Sequence, residues 1–163
     1  LIPSEVTGKS LLNFLKKDSD KKFTALYGYW GGGINITDGD FSYFHYPENF
    51  SQQNPDRYEY TLMPTHMRQF FSNEELQTAT LHKPFDFTKD IPLLKINRIE
   101  RKTDGVYKGF EDTKSALYNL QNDPGQLTPL ADEKKSNEYQ QMMIDIINEY
   151  DPPKELIKNY FEN

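Results

Sequence analysis

Apolar and polar positions alternate with a period of two over several short stretches of this chain, and recur every three or four residues over one long stretch near its end. The residues from Phe23 to Trp30, Ile34 to Thr37 and Phe41 to Tyr46 read as strands. Gly31, Gly32 and Gly33 separate the first two, and Asp38-Gly39 makes a tight turn between the second and third. Phe41, Tyr43 and His45 share one face of the third strand, while Ser42, Phe44 and Tyr46 share the other, so both faces are expected to be covered. Tyr58 to Leu62 is a further strand candidate, as is the Ala116 to Leu120 stretch with Ala116, Tyr118 and Leu120 on one side.

The helical signals are fewer. Thr7 can cap a short helix with a Leu11, Leu12 and Leu15 stripe and Lys16-Lys17 at its end. Pro64 can open another, with Met63, Met67, Phe70 and Phe71 in helical contact. Ser72 with Glu75 three residues later has the spacing of a capping box. Asp132 can cap the main helix, residues 133–150, on which Tyr139, Met142, Met143, Ile146, Ile147 and Tyr150 form a packing stripe. Asp151-Pro152-Pro153 ends it, and Lys154 to Phe161 makes a shorter terminal helix with Leu156, Ile157, Tyr160 and Phe161 inward.

Two segments are plainly polar. Residues 47–58, rich in Asn, Gln, Asp and Pro, read as a loop, and the strongly charged residues 97–114 read as a surface excursion with a turn at Asp104-Gly105. Leu81 to Ile96 carries two apolar clusters, and Pro92 delays any strand there until after it. The expected class is α+β: one domain over residues 1–163, with a small antiparallel or mixed sheet packed by the C-terminal amphipathic helix and shorter helices. A chain of 163 residues buries about 70% of its unfolded surface, enough for one ordinary core.

Charge and composition narrow the chemistry. A net charge of −6 gives no broad basic surface, which speaks against nucleic acid as a partner. With no cysteine, disulfides, thiol nucleophiles and Cys-ligated metals are excluded. No apolar run reaches the roughly 18 residues needed to span a membrane, and the compartment stays open. The chain opens at Leu1 without an initiator Met, so an upstream segment is expected. Asn35-Ile-Thr37 and Asn49-Phe-Ser51 match the glycosylation acceptor pattern, a triplet common by chance.

Two places invite a functional reading. The backbone of Gly31, Gly32 and Gly33 can approach a ligand closely, or simply allow a turn or strand crossing; it lacks the spacing of a phosphate-binding or dinucleotide loop. His66, in Met63-Pro-Thr-His-Met67, can carry a proton, donate to an anion or ligate a metal, but no neighbouring residue has zinc-ligand spacing, and His45 and His82 fall in other elements. A structural hydrogen-bonding histidine is the plainer reading.

The string from Leu117 to Asp132 resembles the end of the catalytic polypeptide in sulfatases of the alkaline phosphatase superfamily, where a Leu-Tyr-Asp-Leu-x-x-Asp-Pro-like strand and turn leads into a helix. Asn119 stands where that pattern has Asp. Leu26-Tyr-Gly-Tyr-Trp-Gly-Gly32 before the Thr37-Asp-Gly39 turn and its aromatic strand is similar to one sulfatase branch. The likeness extends through Tyr58 to Met67, Leu81-x-x-Pro-Phe-Asp-Phe-Thr88 and Leu93-Leu-Lys-Ile96, in the right order.

The resemblance implies a parent that hydrolyses sulfate esters with a formylglycine made from Cys or Ser in a Cys/Ser-x-Pro/Ala-x-Arg motif, assisted by a divalent cation, commonly calcium. Neither that motif nor a matching Asp/Asn metal segment occurs here. This chain then corresponds to the C-terminal part of such an enzyme, with no catalytic residue, metal ligand or cofactor of its own. It would be inactive alone, and partnered by the N-terminal catalytic portion. Thr65 and His66 become candidate contacts to a sulfated carbohydrate or small sulfate ester, together with Tyr29, Trp30 and the Gly31 to Gly33 backbone. An extracytoplasmic or periplasmic parent fits this reading. The alternatives are a sulfated-carbohydrate-binding module using Tyr29, Trp30 and Tyr43 as stacking surfaces, or a purely structural interaction domain.

Overall fold

The Thr37-Asp38-Gly39-Asp40 turn closes on its own side chains. Asp38 Oδ1 accepts the amides of Asp40 and Phe41, each at 2.9 Å, the Thr37 hydroxyl donates to the Phe41 carbonyl at 2.8 Å, and Gly39 takes a positive φ of 90°. That turn fixes the register of the hairpin built on it. The computed structural model describes residues 6, 8, 10–16, 23–28, 33–46, 58–66, 69–98 and 114–162. Its elements, in order, are α1 (Leu12–Leu15), β1 (Ala25–Gly28), β2 (Ile34–Thr37), β3 (Phe41–His45), β4 (Tyr58–Thr61) and α2 (Asn73–Gln77). Then come β5 (Thr80–His82), a 3₁₀ turn (Asp86–Thr88), β6 (Leu93–Asn97), β7 (Ala116–Asn119), α3 (Glu133–Asn148) and α4 (Lys154–Phe161).

The class is α+β, but the strands form two antiparallel sheets and not one. The first runs β1-β2-β3-β7 and the second β4-β6-β5. Thr37 pairs with Ser42 across the hairpin, and Phe41 pairs with Asn119 where the distant β7 joins it. The outer edge of β7 is partly covered: the Leu130 amide donates to the Leu117 carbonyl at 2.7 Å. β4, β5 and β6 pair with one another, Thr61 with Leu94 and Leu81 with Leu94.

The first sheet packs under α3. Ile36, Tyr43, Leu117, Tyr139 and Met143 are buried together, with Leu26, Ile34, Phe41, Met142, Ile146 and Phe161 partly buried around them. Leu117 is therefore the core-facing residue of β7, because it pairs with Tyr43; the alternate residues Ala116 and Tyr118 take the other face. Asp132 caps α3 by accepting the Lys135 amide at 2.9 Å. The helix stops at Asn148, two residues earlier than its apolar stripe suggested, and Tyr150 is 56% exposed. The chain leaves through Asp151, in the left-handed region at φ 46°, and two prolines.

β6 is central in the second sheet. Leu93 and Ile96, three residues apart, lie on opposite faces and both are buried, so this sheet too is covered on both sides. α4 joins the sheets. At its start Glu155 meets Tyr60 and Lys95 of the second sheet; at its end the Tyr160 carbonyl and the Phe161 ring meet His45 of the first.

Two local expectations need correction. No helix follows Pro64 among the described residues. Instead Thr61 turns the chain by bonding the Met63 backbone, and Thr65 bridges Phe70. Phe70 is 82% exposed while Phe71 is buried, so the two do not share one packed face. The α1 leucines are all exposed; the expected cap Thr7 lies outside the described residues, and Ser10 Oγ accepts the Leu12 amide at 3.3 Å. Residues 47–57 and 99–113, which hold most of the expected loop and excursion, are likewise outside them.

Candidate functional site

His66 is the sequence candidate whose surroundings are best defined. β4 carries Glu59 on the face opposite Tyr60, the Thr61-to-Thr65 bend reverses the chain, and α2 brings Glu75 back toward the strand. His66 sits between the two carboxylates. Nδ1 is 3.1 Å from Glu59 Oε2 and Nε2 is 3.2 Å from Glu75 Oε1. The Phe71 ring packs against the imidazole with centroids 4.0 Å apart.

Glu75 is positioned by the capping box anticipated from Ser72. Its amide donates to Ser72 Oγ at 3.2 Å, and its Oε2 accepts the Ser72 amide at 2.7 Å. Glu75 is 3% exposed, so its carboxylate must be satisfied inside the protein, and the backbone amide and the imidazole do this. The sequence signals Glu75 only as a helix cap. Nothing in it signals Glu59 as a partner of His66, because strand alternation fixes only the face that Glu59 occupies.

This arrangement engages both ring nitrogens of His66 with groups of its own chain. A sulfate approaching the imidazole would meet two carboxylates first. Thr65, half-buried, is adjacent and makes the bridge to Phe70. The other candidates are elsewhere. Tyr29, Trp30, Gly31 and Gly32 lie outside the described residues. Gly33 is buried just before β2, where a Cβ would lie 2.7 Å from the Tyr46 ring and would have to displace it. Tyr43 is 4% exposed and presents no face on which a sugar could stack, which removes it from the glycan-binding alternative.

His45 has the opposite environment from His66. Its Nε2 is 2.5 Å from the Tyr160 carbonyl and must donate to it, and its ring stacks on Phe161 with centroids 4.7 Å apart. Burial pushes its proton affinity down, and the carbonyl contact only partly offsets this.

On the face of β4 away from His66, an open surface cavity of about 400 Å³ is lined by Tyr60, Leu62, Met63, Phe85, Phe87 and Pro153. It has the size of a small-ligand pocket but few polar groups to orient one. Among the described residues no group of three His, Asp or Glu side chains can hold a metal ion, and no helix is long and apolar enough to cross a membrane. Comparison of the chain with protein-family models, curated proteins and solved structures gives no match.

Proposed function

We propose that this chain is the C-terminal part of a sulfuric ester hydrolase of the alkaline phosphatase superfamily, completing its fold and contributing to its substrate cleft. The observation that supports this reading is the meeting of the two strings that most resemble such enzymes. The Thr37-Asp38-Gly39 turn with its aromatic strand lies beside the Leu117-to-Asp132 segment: β3 pairs with β7, the Leu120 amide donates to the Asp40 carbonyl at 2.8 Å, and Gln121 Nε2 donates to Asp40 Oδ1 at 3.1 Å. Segments far apart in sequence thus build one structural unit, as parts of a single family pattern would.

The division of labour follows from the residues. Sulfate-ester hydrolysis in that superfamily uses a formylglycine nucleophile and a divalent cation, and this chain has neither the Cys/Ser-x-Pro/Ala-x-Arg motif in which the first is made nor, among its described residues, a cluster to hold the second. Both are assigned to an upstream catalytic portion. Thr65 and the glycine segment are this chain's candidates for the cleft wall. His66 would join them only by exchanging a carboxylate for the substrate.

The test compares the natural chain extended upstream of Leu1 with the 163-residue chain. The extended protein is expected to carry formylglycine, detected by peptide mass spectrometry, and to release sulfate from 4-nitrophenyl sulfate; the 163-residue chain is expected to release none. An upstream sequence with no Cys/Ser-x-Pro/Ala-x-Arg segment would overturn the proposal. Turnover by the shorter chain alone would overturn the division of labour.

A further inference from the structure

The hydrogen-bond phase of the first sheet can be followed from strand to strand. The Asp38 amide donates to the Phe41 carbonyl, so the residues that bond across the hairpin are Asp38 with Phe41 and, two further along each strand, Ile36 with Tyr43. The even-numbered residues of β3 then turn their backbone groups to β7, in agreement with the bond from the Leu120 amide to the Asp40 carbonyl. By the same alternation Asn35 and Thr37 turn theirs to β1, where they face Tyr27 and Ala25. Leu26, Gly28 and the preceding Thr24 are left directing their N–H and C=O groups away from the sheet. Among the described residues no backbone group bonds to them there.

Edge strands are ordinarily blunted by lysine, proline, a bulge or a covering segment. Thr24-Ala25-Leu26-Tyr27-Gly28 has neither lysine nor proline, its pairing with β2 runs without a bulge, and Thr24, Ala25, Tyr27 and Gly28 are exposed. The Tyr27 ring does not screen the edge. Its hydroxyl lies 2.9 Å from Ser42 Oγ on β3 and its ring meets Phe44 edge-on, so it leans inward over the sheet.

We propose that β1 is a self-association edge, on which a second copy of this chain pairs antiparallel about a twofold axis at Leu26, joining two four-stranded sheets into one. The strand is complementary to itself in that register. Leu26 meets the partner's Leu26 and Thr24 meets the partner's Gly28, each with outward N–H and C=O groups in phase. On the α3 face the two Leu26 side chains, each partly buried at the rim of the core, cover one another. On the opposite face Tyr27 comes against the partner's Ala25, large against small. None of these residues is charged, so the symmetric contact sets no like charges opposite each other although the chain carries a net charge of −6. The helices leave room. α3 packs on Phe41 of β3, two strands in from β1, which puts the two copies of α3 about 24 Å apart at a strand spacing of about 4.8 Å, against a helix diameter of about 10–12 Å. So short a contact is at the small end of specific interfaces, below about 1,200 Å², which makes the pair weak and reversible. This inference does not rest on the sulfatase reading.

The experiment follows the 163-residue chain by sedimentation equilibrium and residue-resolved amide exchange up to about 1 mM, where weak specific pairs are still populated. A reversible monomer–dimer equilibrium is expected. Raising the concentration should slow exchange at the outward amides of Leu26 and Gly28 in proportion to the fraction dimerised, while the inward amides of Ala25 and Tyr27 stay unchanged. Thr24→Pro removes an outward donor from an exposed residue without touching the β1–β2 ladder and should weaken the dimer about tenfold, since each copy loses a bond. A chain that stays monomeric at about 1 mM would overturn the proposal. So would a dimer in which Leu26 and Gly28 exchange as fast as in the monomer, which places the contact elsewhere, or a folded Thr24→Pro that dimerises undiminished. Protection of these two amides that does not change with concentration would also overturn it, since another segment of the same chain would then lie on the edge. The exchange readout uses the unaltered chain, so it stands even if the substitution impairs folding.

Discussion

The Tyr139 hydroxyl donates to Asp38 Oδ2 at 2.7 Å across 101 residues of sequence, joining the main helix to the turn that sets the first sheet's register. Asp38 thereby accepts from two backbone amides and one phenol. Burial pushes its carboxyl up, but the bonds from Phe41, Tyr139 and Asp40 outweigh this and hold it below the ordinary carboxylate range. Tyr139 moves the opposite way, raised by burial and by the Asp38 carboxylate.

Tyr139→Phe keeps the ring in the core and deletes only this bond. The expected loss is about 1–2 kcal/mol, read as a lower urea midpoint with an unchanged slope. The sign with pH follows from the Asp38 shift. A carboxyl depressed in the fold stabilises above its unfolded value and loses that contribution as pH falls through the folded value. The difference between wild type and Tyr139→Phe should therefore shrink on acidification; a difference that stayed constant would show that the phenol's contribution does not depend on the Asp38 charge.

Met143 and Ile36 are each 0% exposed and face each other's element across the α3–sheet interface. Met143→Ala removes side-chain atoms from a site with no solvent to fill it, and the expected cost is about 2–5 kcal/mol. Chemical denaturation reads this directly. A cost below about 1 kcal/mol would mean that α3 is not packed on the sheet as described.

Gly28 and Gly33 lie at the end of the β1–β2 ladder but fail differently when substituted. A Cβ at Gly28 would be 2.6 Å from the Gly33 carbonyl oxygen, a backbone atom that moves only if the strand pairing moves; at Gly33 it would meet the Tyr46 ring at 2.7 Å. Gly28→Ala should cost more than Gly33→Ala, both near the 1–3 kcal/mol of an overpacked site. Equal costs would show that the Tyr46 ring is held as firmly as backbone. The comparison also bears on the triple-glycine reading, since it measures how far packing alone accounts for Gly33.

His45 supplies a second pH dependence. Its proton affinity is lowered chiefly by burial, so the unfolded chain takes up a proton that the fold resists. Stability should be full above the ordinary imidazole value of about 6.5 and decline as pH falls through it toward the folded value. His45→Gln keeps a donor within reach of the Tyr160 carbonyl but cannot titrate. Urea midpoints at pH 7.5 and 5.5, both chosen for this comparison and about one unit either side of that value, should differ less in the variant than in wild type. An equal difference would place the dependence on other groups.

Much of the fold was legible because local chemistry dictated it. The Asp38-Gly39 turn, the Ser72 capping box, the strand delayed until after Pro92 and the Asp132 cap each depend on residues within a few positions of one another. What was not legible depended on partners chosen at long range. The split into two sheets rests on the pairing of β7 with β3 and of β4 and β5 with β6, and in place of a helix after Pro64 the chain makes the Thr65–Phe70 bridge. The candidate site divides the same way. His66 was visible as a residue type, while Glu59 became its partner only through the pairing of β4 with β6 and the return of α2.

α4 has no fully buried residue, so its position depends on what holds its two ends. At one end burial works against the charges of Glu155 and Lys95, yet their hydrogen bond outweighs it, leaving the carboxyl below and the ammonium above their ordinary ranges. Both side chains are 21% exposed, so water screens the pair and Glu155→Gln should cost no more than about 1 kcal/mol. At the other end Phe161 stacks on His45 beside the first core, and Phe161→Ala should cost about 1–3 kcal/mol. The two anchors are on different sheets and share no partner, which for independent contacts predicts additive losses. If α4 instead docks as one strap, losing either anchor frees much of the helix and the second loss is smaller. The double variant is expected to lose the sum of the two within about 0.5 kcal/mol, whereas a larger shortfall would show that α4 docks as one strap.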